Sequence, residues 1–197
     1  MTSLNVLIID NFDSFTFNLV HTIEPMVKSV KVIRTDVFQT RDIQKADAVI
    51  ISPGPGVPDD YPKLKKLILE FSSPKPLLGV CLGQQAIAEA WGGSLINLQE
   101  VWHGIARETI VEADDILFRN VSPLFWSGRY HSWVVNEKSL PPDFIITSRD
   151  KQGYIMSLAH KHFPLKSVQF HPESVLTPEG KKILSNWVYW VEKLLQT

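Results

Sequence analysis

The chain has 197 residues, 44% of them hydrophobic and 21% charged, which is the mix of one packed domain and excludes a disordered chain. Twenty Lys and Arg stand against twenty-one Asp and Glu, a formal charge of −1, so neither bulk nucleic acid nor an anionic membrane is an expected partner. The single cysteine, Cys81, excludes an internal disulfide and with it a disulfide-stapled secreted scaffold.

The first half alternates strand-like and helix-like text. Val6–Ile9 is a short apolar run that stops at Asp10-Asn11. Apolar residues then return at helical spacing from Phe12 to Val27, with Asn11 or Asp13 available as N-cap. Val30–Ile33 and Ala48–Ile51 read as strands, and Ser52-Pro53-Gly54-Pro55-Gly56-Val57-Pro58 follows the second of them. Residues 61–72 have helical spacing. Leu77–Val80 is a fourth strand, running through Cys81 into a helix, Leu82–Trp91, that is closed by Gly92-Gly93.

From Ser94 to His171 short alternating runs replace helical spacing: Leu95–Leu98, Glu108–Val111, Tyr130–Val135, Phe144–Thr147, Tyr154–Ala159 and Val168–Phe170. They predict antiparallel strands added at one edge of the sheet. A last helix opens near Thr177-Pro178 and buries Ile183, Leu184, Trp187, Val188, Val191 and Leu194. The expected fold is therefore α/β and flavodoxin-like: a mostly parallel central sheet, helices on both faces, an added antiparallel region, and a single domain over residues 1–197. The longest run without Asp, Glu, Lys or Arg, Pro76 to Ala88, is shorter than the about 20 apolar residues of a membrane span. The N-terminus lacks the basic flank of a signal peptide, and a cytoplasmic location is expected.

Three segments could carry chemistry. Gly79-Val80-Cys81-Leu82-Gly83 has the glycine–nucleophile–glycine spacing of a tight strand-to-helix elbow. Such a turn presents its side chain at the carboxyl end of the sheet, under the first N–H groups of a helix, which favours a thiolate. The competing reading is a small buried hydrophobe. A cysteine nucleophile needs an imidazole and a group to orient it. Of six histidines, His171 follows a strand and is trailed by Pro172-Glu173, so Glu173 can reach its ring; a surface turn is the alternative. The Pro53–Gly56 loop, at the end of another strand, suits an oxyanion hole. A phosphate cradle is disfavoured because the loop has no lysine, and a plain turn stays open. The six histidines show no paired ligand spacing and there is only one cysteine, so no metal is expected; no cofactor is expected either.

Together these segments resemble the triad-type, class-I glutamine amidotransferases, and more narrowly the small glutaminase subunits of the chorismate-aminating synthases, anthranilate synthase and aminodeoxychorismate synthase. The resemblance spans essentially the whole chain. It is carried by residues 9–16 (Ile-Asp-Asn-Phe-Asp-Ser-Phe-Thr), 52–58, 79–86 (Gly-Val-Cys-Leu-Gly-Gln-Gln-Ala), 129–132 (Arg-Tyr-His-Ser) and 169–174 (Gln-Phe-His-Pro-Glu-Ser). It implies that Cys81 attacks the side-chain amide of L-glutamine, with His171 moving the proton and Glu173 orienting His171. It implies an oxyanion hole at the N–H groups of Gly56 and Leu82, and glutamine contacts from Gly54, Pro55, Gly56, Gln85, Ser132 and Trp133. It further implies delivery of ammonia to a chorismate-binding synthase subunit, in tryptophan or folate biosynthesis. The Pro-Gly-Pro-Gly loop leans this towards the anthranilate branch. Three positions depart from the family pattern: Gln84 where His is frequent, Trp133 where Leu is common, and Ile105 where Lys is common. A degenerate glutamine-binding module and a stand-alone hydrolase of γ-glutamyl compounds are the alternative functions.

Overall fold

The computed structural model describes residues 2–196, so the end positions 1 and 197 of the expected domain lie outside the described residues. One continuous nine-stranded sheet runs through the chain. Its first strands are β1 (Asn5–Asp10), β2 (Ser29–Arg34), β3 (Ala48–Ile51) and β4 (Leu77–Val80). The others are β5 (Leu95–Val111), β6 (Leu124–Val135), β7 (Phe144–Asp150), β8 (Ile155–His160) and β9 (Leu165–Val168). In space the order is β2-β1-β3-β4-β9-β8-β7-β5-β6. The first five of these pair in parallel and the rest antiparallel. The parallel half follows the flavodoxin order, with β9 as its fifth strand.

Five α-helices among the described residues complete the fold: α1 (Thr16–Ile23), α2 (Thr40–Lys45), α3 (Pro62–Phe71), α4 (Leu82–Ala90) and α5 (Gly180–Leu194). Side chains of a strand alternate between faces, and each face acquires its own core. Val6 and Ile8 pack with Leu19 and Ile23 of α1 and with Ile183, Leu184, Trp187, Val188 and Val191 of α5. Leu7 and Ile9 pack on the other side, with Leu64, Leu67 and Ile68 of α3 and Ala86 and Ile87 of α4. Each fully buried Leu, Ile or Val contributes about 1.5–3 kcal/mol, so the two-sided apolar strands dictate two layers of helices.

Several sequence expectations change. The first helix starts at Thr16 rather than Phe12, because the Asn11–Phe15 loop spends its polar groups on turns: Asp13 Oδ1 accepts from Phe15 N–H at 2.7 Å. Helix α2 has a single buried residue, Ile43, and gives no periodic signal. The runs 95–98 and 108–111 are the two ends of one strand, β5, whose register against β6 shifts between Asn97 and Trp102 and between His103 and Ile105. Strand β9 ends at Val168 and lies parallel to β4, so it belongs to the central sheet and not to the antiparallel addition. Helix α5 starts at Gly180, and Leu194 is exposed rather than part of its buried stripe.

Candidate active site

The carboxyl ends of four neighbouring parallel strands meet at one place. Asn11 follows β1, Ser52–Gly56 follows β3, Cys81 follows β4 and Gln169–Glu173 follows β9. This is where open α/β sheets place their ligands.

Cys81 sits between β4 and α4 with φ +53° and ψ −102°, a conformation rarely adopted by a residue with a side chain. Holding it costs of order 1–3 kcal/mol. Its N–H donates to Val168 O at 2.8 Å, which ties the elbow to β9. Its carbonyl accepts from Gln84 and Gln85 N–H at 3.0 and 3.2 Å and so starts α4. The two flanking glycines are needed for close approach. A Cβ on Gly79 would lie 2.6 Å from the Gly83 backbone, and one on Gly83 would lie 2.6 Å from Ile51 O. Leu82 opens α4, so its N–H has no acceptor within the helix.

Behind the elbow, His171 Nδ1 lies 2.7 Å from Glu173 Oε1, and both side chains are buried. A carboxylate can only accept, so Nδ1 carries the proton and Nε2 is the nitrogen left to serve Cys81. Among the described residues no oxygen or nitrogen partner takes Nε2, and Cys81 lies close enough to act on the ring. Burial pushes His171 towards its neutral form, but the negative charges of Cys81 and Glu173 outweigh it and hold the ring well above the usual imidazole range. Phe15 and Tyr130 pack on the ring, with centroids at 5.6 and 4.7 Å. The backbone of His171 is fixed as well. Its N–H donates to Gly128 O at 3.1 Å, and its carbonyl accepts from Thr177 Oγ1 at 2.6 Å. Thr177, at the predicted opening of the last helix, thus spends its hydroxyl on the site, and α5 begins at Gly180.

A cavity of about 220 Å³ opens beside Cys81. Gly54, Pro55, Gly56, Gln85, Ser132 and Trp133 line it, together with Val101, Trp102, His103, Tyr130 and His131. Every residue expected to bind substrate lies on its wall except Leu82, whose side chain abuts Gly54. The loop from β3 is rigid. Asn11 Nδ2 donates to Ser52 O at 2.8 Å, Tyr61 Oη is 2.9 Å from Pro55 O, and Gly56 takes φ +74°.

Gln85 Nε2 donates to Trp133 O at 2.9 Å, and His131 Nδ1 donates to the same carbonyl at 3.1 Å. Burial first, then the charges of Arg129 and His171, lower the His131 pKa to about 3, so this ring is neutral and is no second acid. Gln84 points away from the cavity: its Oε1 accepts from Ser167 Oγ at 3.0 Å, so a glutamine here leaves the triad untouched. Ile105 lies at the second register shift of β5.

The sequence reading missed Tyr130, Phe15, Thr177 and Gln169, whose Nε2 is 3.6 Å from Cys81 Sγ. For Gln169 a signal existed. In an extended segment residues two apart share a face, so Gln169 points with His171, while Phe170 turns to the core against Phe125.

No helix among the described residues is long and apolar enough to cross a membrane. The class-I glutamine amidotransferase profile matches residues 7–191. Anthranilate synthase component 2 of Lactococcus lactis is 40% identical over 190 residues, covering 95% of this chain and 96% of that protein. Aminodeoxychorismate synthase component 2 of Escherichia coli is 38% identical over 186 residues, covering 93% and 99%. A crystal structure from Thermoplasma acidophilum, of a protein assigned to GMP synthase, superposes with a TM-score of 0.89 at 22% identity, over 100% of this chain and 98% of that one, a likeness of fold. With a nucleophile elbow, a buried His–Glu pair and a matching profile over most of its length, the chain belongs to the class-I glutamine amidotransferases.

Proposed function

We propose that this chain is the glutaminase subunit of a chorismate-aminating synthase, acting as one domain in the cytoplasm. The observation that carries the reading is the convergence of Cys81, on its strained elbow, with a His171 whose Nδ1 is held by Glu173 and whose Nε2 is left for the thiol. A free thiol in a chain with no disulfide fits a reducing compartment.

In this reading L-glutamine enters the cavity beside Gln85 and the Ser132–Trp133 backbone. The Cys81 thiolate attacks the side-chain amide carbon, and the carbonyl oxygen becomes an oxyanion facing the N–H groups of Gly56 and Leu82. Protonated His171 gives its Nε2 proton to the departing nitrogen, the C–N bond breaks, and ammonia leaves a γ-glutamyl thioester. Water, deprotonated by the now neutral His171, attacks the thioester; glutamate departs and the thiolate and imidazolium return. Free ammonia in water is protonated and is then no nucleophile, so its use requires a sheltered path to a second subunit. The chorismate-binding subunit is that partner, in keeping with the names of the relatives. Exposed Val101 on the cavity wall, Phe12 after β1 and Val175 just past Glu173 offer it apolar surface.

The test uses the complex with a synthase subunit. Cys81→Ala abolishes glutamine-dependent product and leaves ammonia-dependent product intact. Loss of both, or of neither, rejects the assignment. Product identity tells anthranilate from aminodeoxychorismate.

A further inference from the structure

We propose that Gln169 is a catalytic residue: its side-chain amide donates a hydrogen bond to Cys81 Sγ and stabilises the thiolate, both when it attacks and when it leaves the thioester. The proposal rests on the glutaminase reading for its role in turnover, but not for the bond itself.

The argument is one of donors and acceptors. An amide can be turned so that either N or O faces a neighbour, and the hydrogen-bond network decides which. The network here begins at an unambiguous acceptor, the backbone carbonyl of Trp133. It lies 2.9 Å from the Gln85 side chain, so the Gln85 atom facing it is the NH₂ group. That nitrogen has a second proton, and Gln169 Oε1 lies 3.4 Å away. Turning the Gln169 amide over would set two NH₂ groups against each other. Its oxygen therefore faces Gln85, and its Nε2–H₂ faces Cys81 Sγ at 3.6 Å.

The donor cannot drift. Gln169 is wholly buried, and its backbone N–H is bonded to Met156 O at 2.8 Å. A buried donor aimed at a sulfur favours its anionic form, because a hydrogen bond to a charged group is stronger than one to a neutral group. The thioester sulfur carries no charge, so the bond gains strength as the thiolate departs during hydrolysis. The relay also links substrate to nucleophile. Gln85 and Trp133 form the cavity wall, and the amide that fixes Gln169 is the one a bound glutamine would touch.

Two variants in complex with the synthase subunit test this, with ammonia-dependent product as the measure of intact assembly. Gln169→Met keeps volume and loses the donor. Gln169→Glu keeps an acceptor for Gln85 and loses the donor. Both are expected to slow alkylation of Cys81 by iodoacetamide roughly three- to tenfold and to lower kcat for glutamine by at least about tenfold, with KM changed less. A residue that merely props up Gln85 would raise KM and would leave Gln169→Glu near wild type. Wild-type alkylation and kcat in either assembled variant overturn the proposal. On the unmodified chain, the side-chain ¹⁵N–¹H signal of Gln169 should move as Cys81 ionises and stay still in Cys81→Ala; a signal that ignores the thiol also overturns it. Slowed alkylation without any glutamine turnover by the wild-type complex would instead reject the glutaminase reading and keep the bond.

Discussion

The Thr177 hydroxyl donates to the carbonyl oxygen of His171 at 2.6 Å and accepts from the N–H of Gly128 at 2.9 Å. One buried side chain therefore joins the end of the His171 segment to β6. Thr177→Val keeps the shape and removes both bonds, taking this partner from the buried Gly128 N–H and leaving the His171 carbonyl with only the Ser174 N–H, at 3.2 Å. The expected cost is about 1–3 kcal/mol of stability, read as a lower urea midpoint with an unchanged slope. Glutaminase activity should fall too, because the His171 backbone is freed. An unchanged midpoint would mean that water replaces the hydroxyl at no cost.

The elbow is sterically closed at Gly83. A Cβ there would lie 2.6 Å from Ile51 O, a backbone atom that cannot step aside as a flexible side chain would. Gly83→Ala must push α4 away from β3, with an expected loss of about 1–3 kcal/mol from overpacking. Because α4 starts at Leu82, the same shift displaces the Leu82 N–H and Cys81, so kcat for glutamine should fall more than partner binding does. Thermal unfolding and steady-state kinetics on one preparation check both halves. Full activity in a destabilised variant would separate the elbow from its helix.

Glu173 orients the His171 ring and also charges its surroundings, and Glu173→Gln separates the two. The glutamine oxygen can still accept from Nδ1–H, but the negative charge is gone. His171 is held above its usual range against burial by Cys81 and Glu173, so removing one of these charges lowers it. Imidazolium is the form that protonates the departing amide nitrogen, and it is lost as pH rises through the ring's pKa. The alkaline limb of the kcat profile should therefore move to lower pH, with kcat down roughly 10²–10⁴-fold. If the limb stays in place while kcat falls, the carboxylate acts through geometry alone.

The parts of the site visible in the sequence are those with a local physical cause. Gly79 and Gly83 around Cys81 announce a turn that only small neighbours permit, and Glu173, two positions after His171, can reach its ring. What stays hidden is set by tertiary context. Thr177 before Pro178 has the local chemistry of a cap, yet Gly128 and His171 claim its hydroxyl. Gln169 carries no charge and has no acid–base chemistry, so its only trace in the sequence is its place two positions before His171, on the same face. Strand β9 does not read as a central strand because Lys166 interrupts its apolar run; the charge is met by Asp115 at 2.5 Å, with the ammonium over the Trp190 ring. Strand β5 reads as two pieces because its register shifts break the alternation between Asn97 and Ile105.

The two buried histidines of the site pull stability in opposite directions with pH. The folded pKa of His171 lies above its unfolded value, so its contribution is complete below the unfolded pKa and is lost as pH rises through the folded one. His131 is the reverse. Its pKa drops from 6.5 to about 3 on folding, chiefly through burial and then through Arg129 and His171. Its contribution is complete above 6.5 and is lost as pH falls from there towards 3, where the unfolded chain takes up a proton that the folded chain refuses. His131→Asn can keep a donor for Trp133 O without a titrating group. Over that acid window the variant's stability should depend less on pH, by up to about 1.4 kcal/mol per pH unit for the one proton removed. Urea unfolding at a series of pH values, with Cys81 left free, measures the difference. Parallel curves for wild type and variant would show that His131 is already protonated in the folded chain, and that the wall of the cavity carries a positive charge.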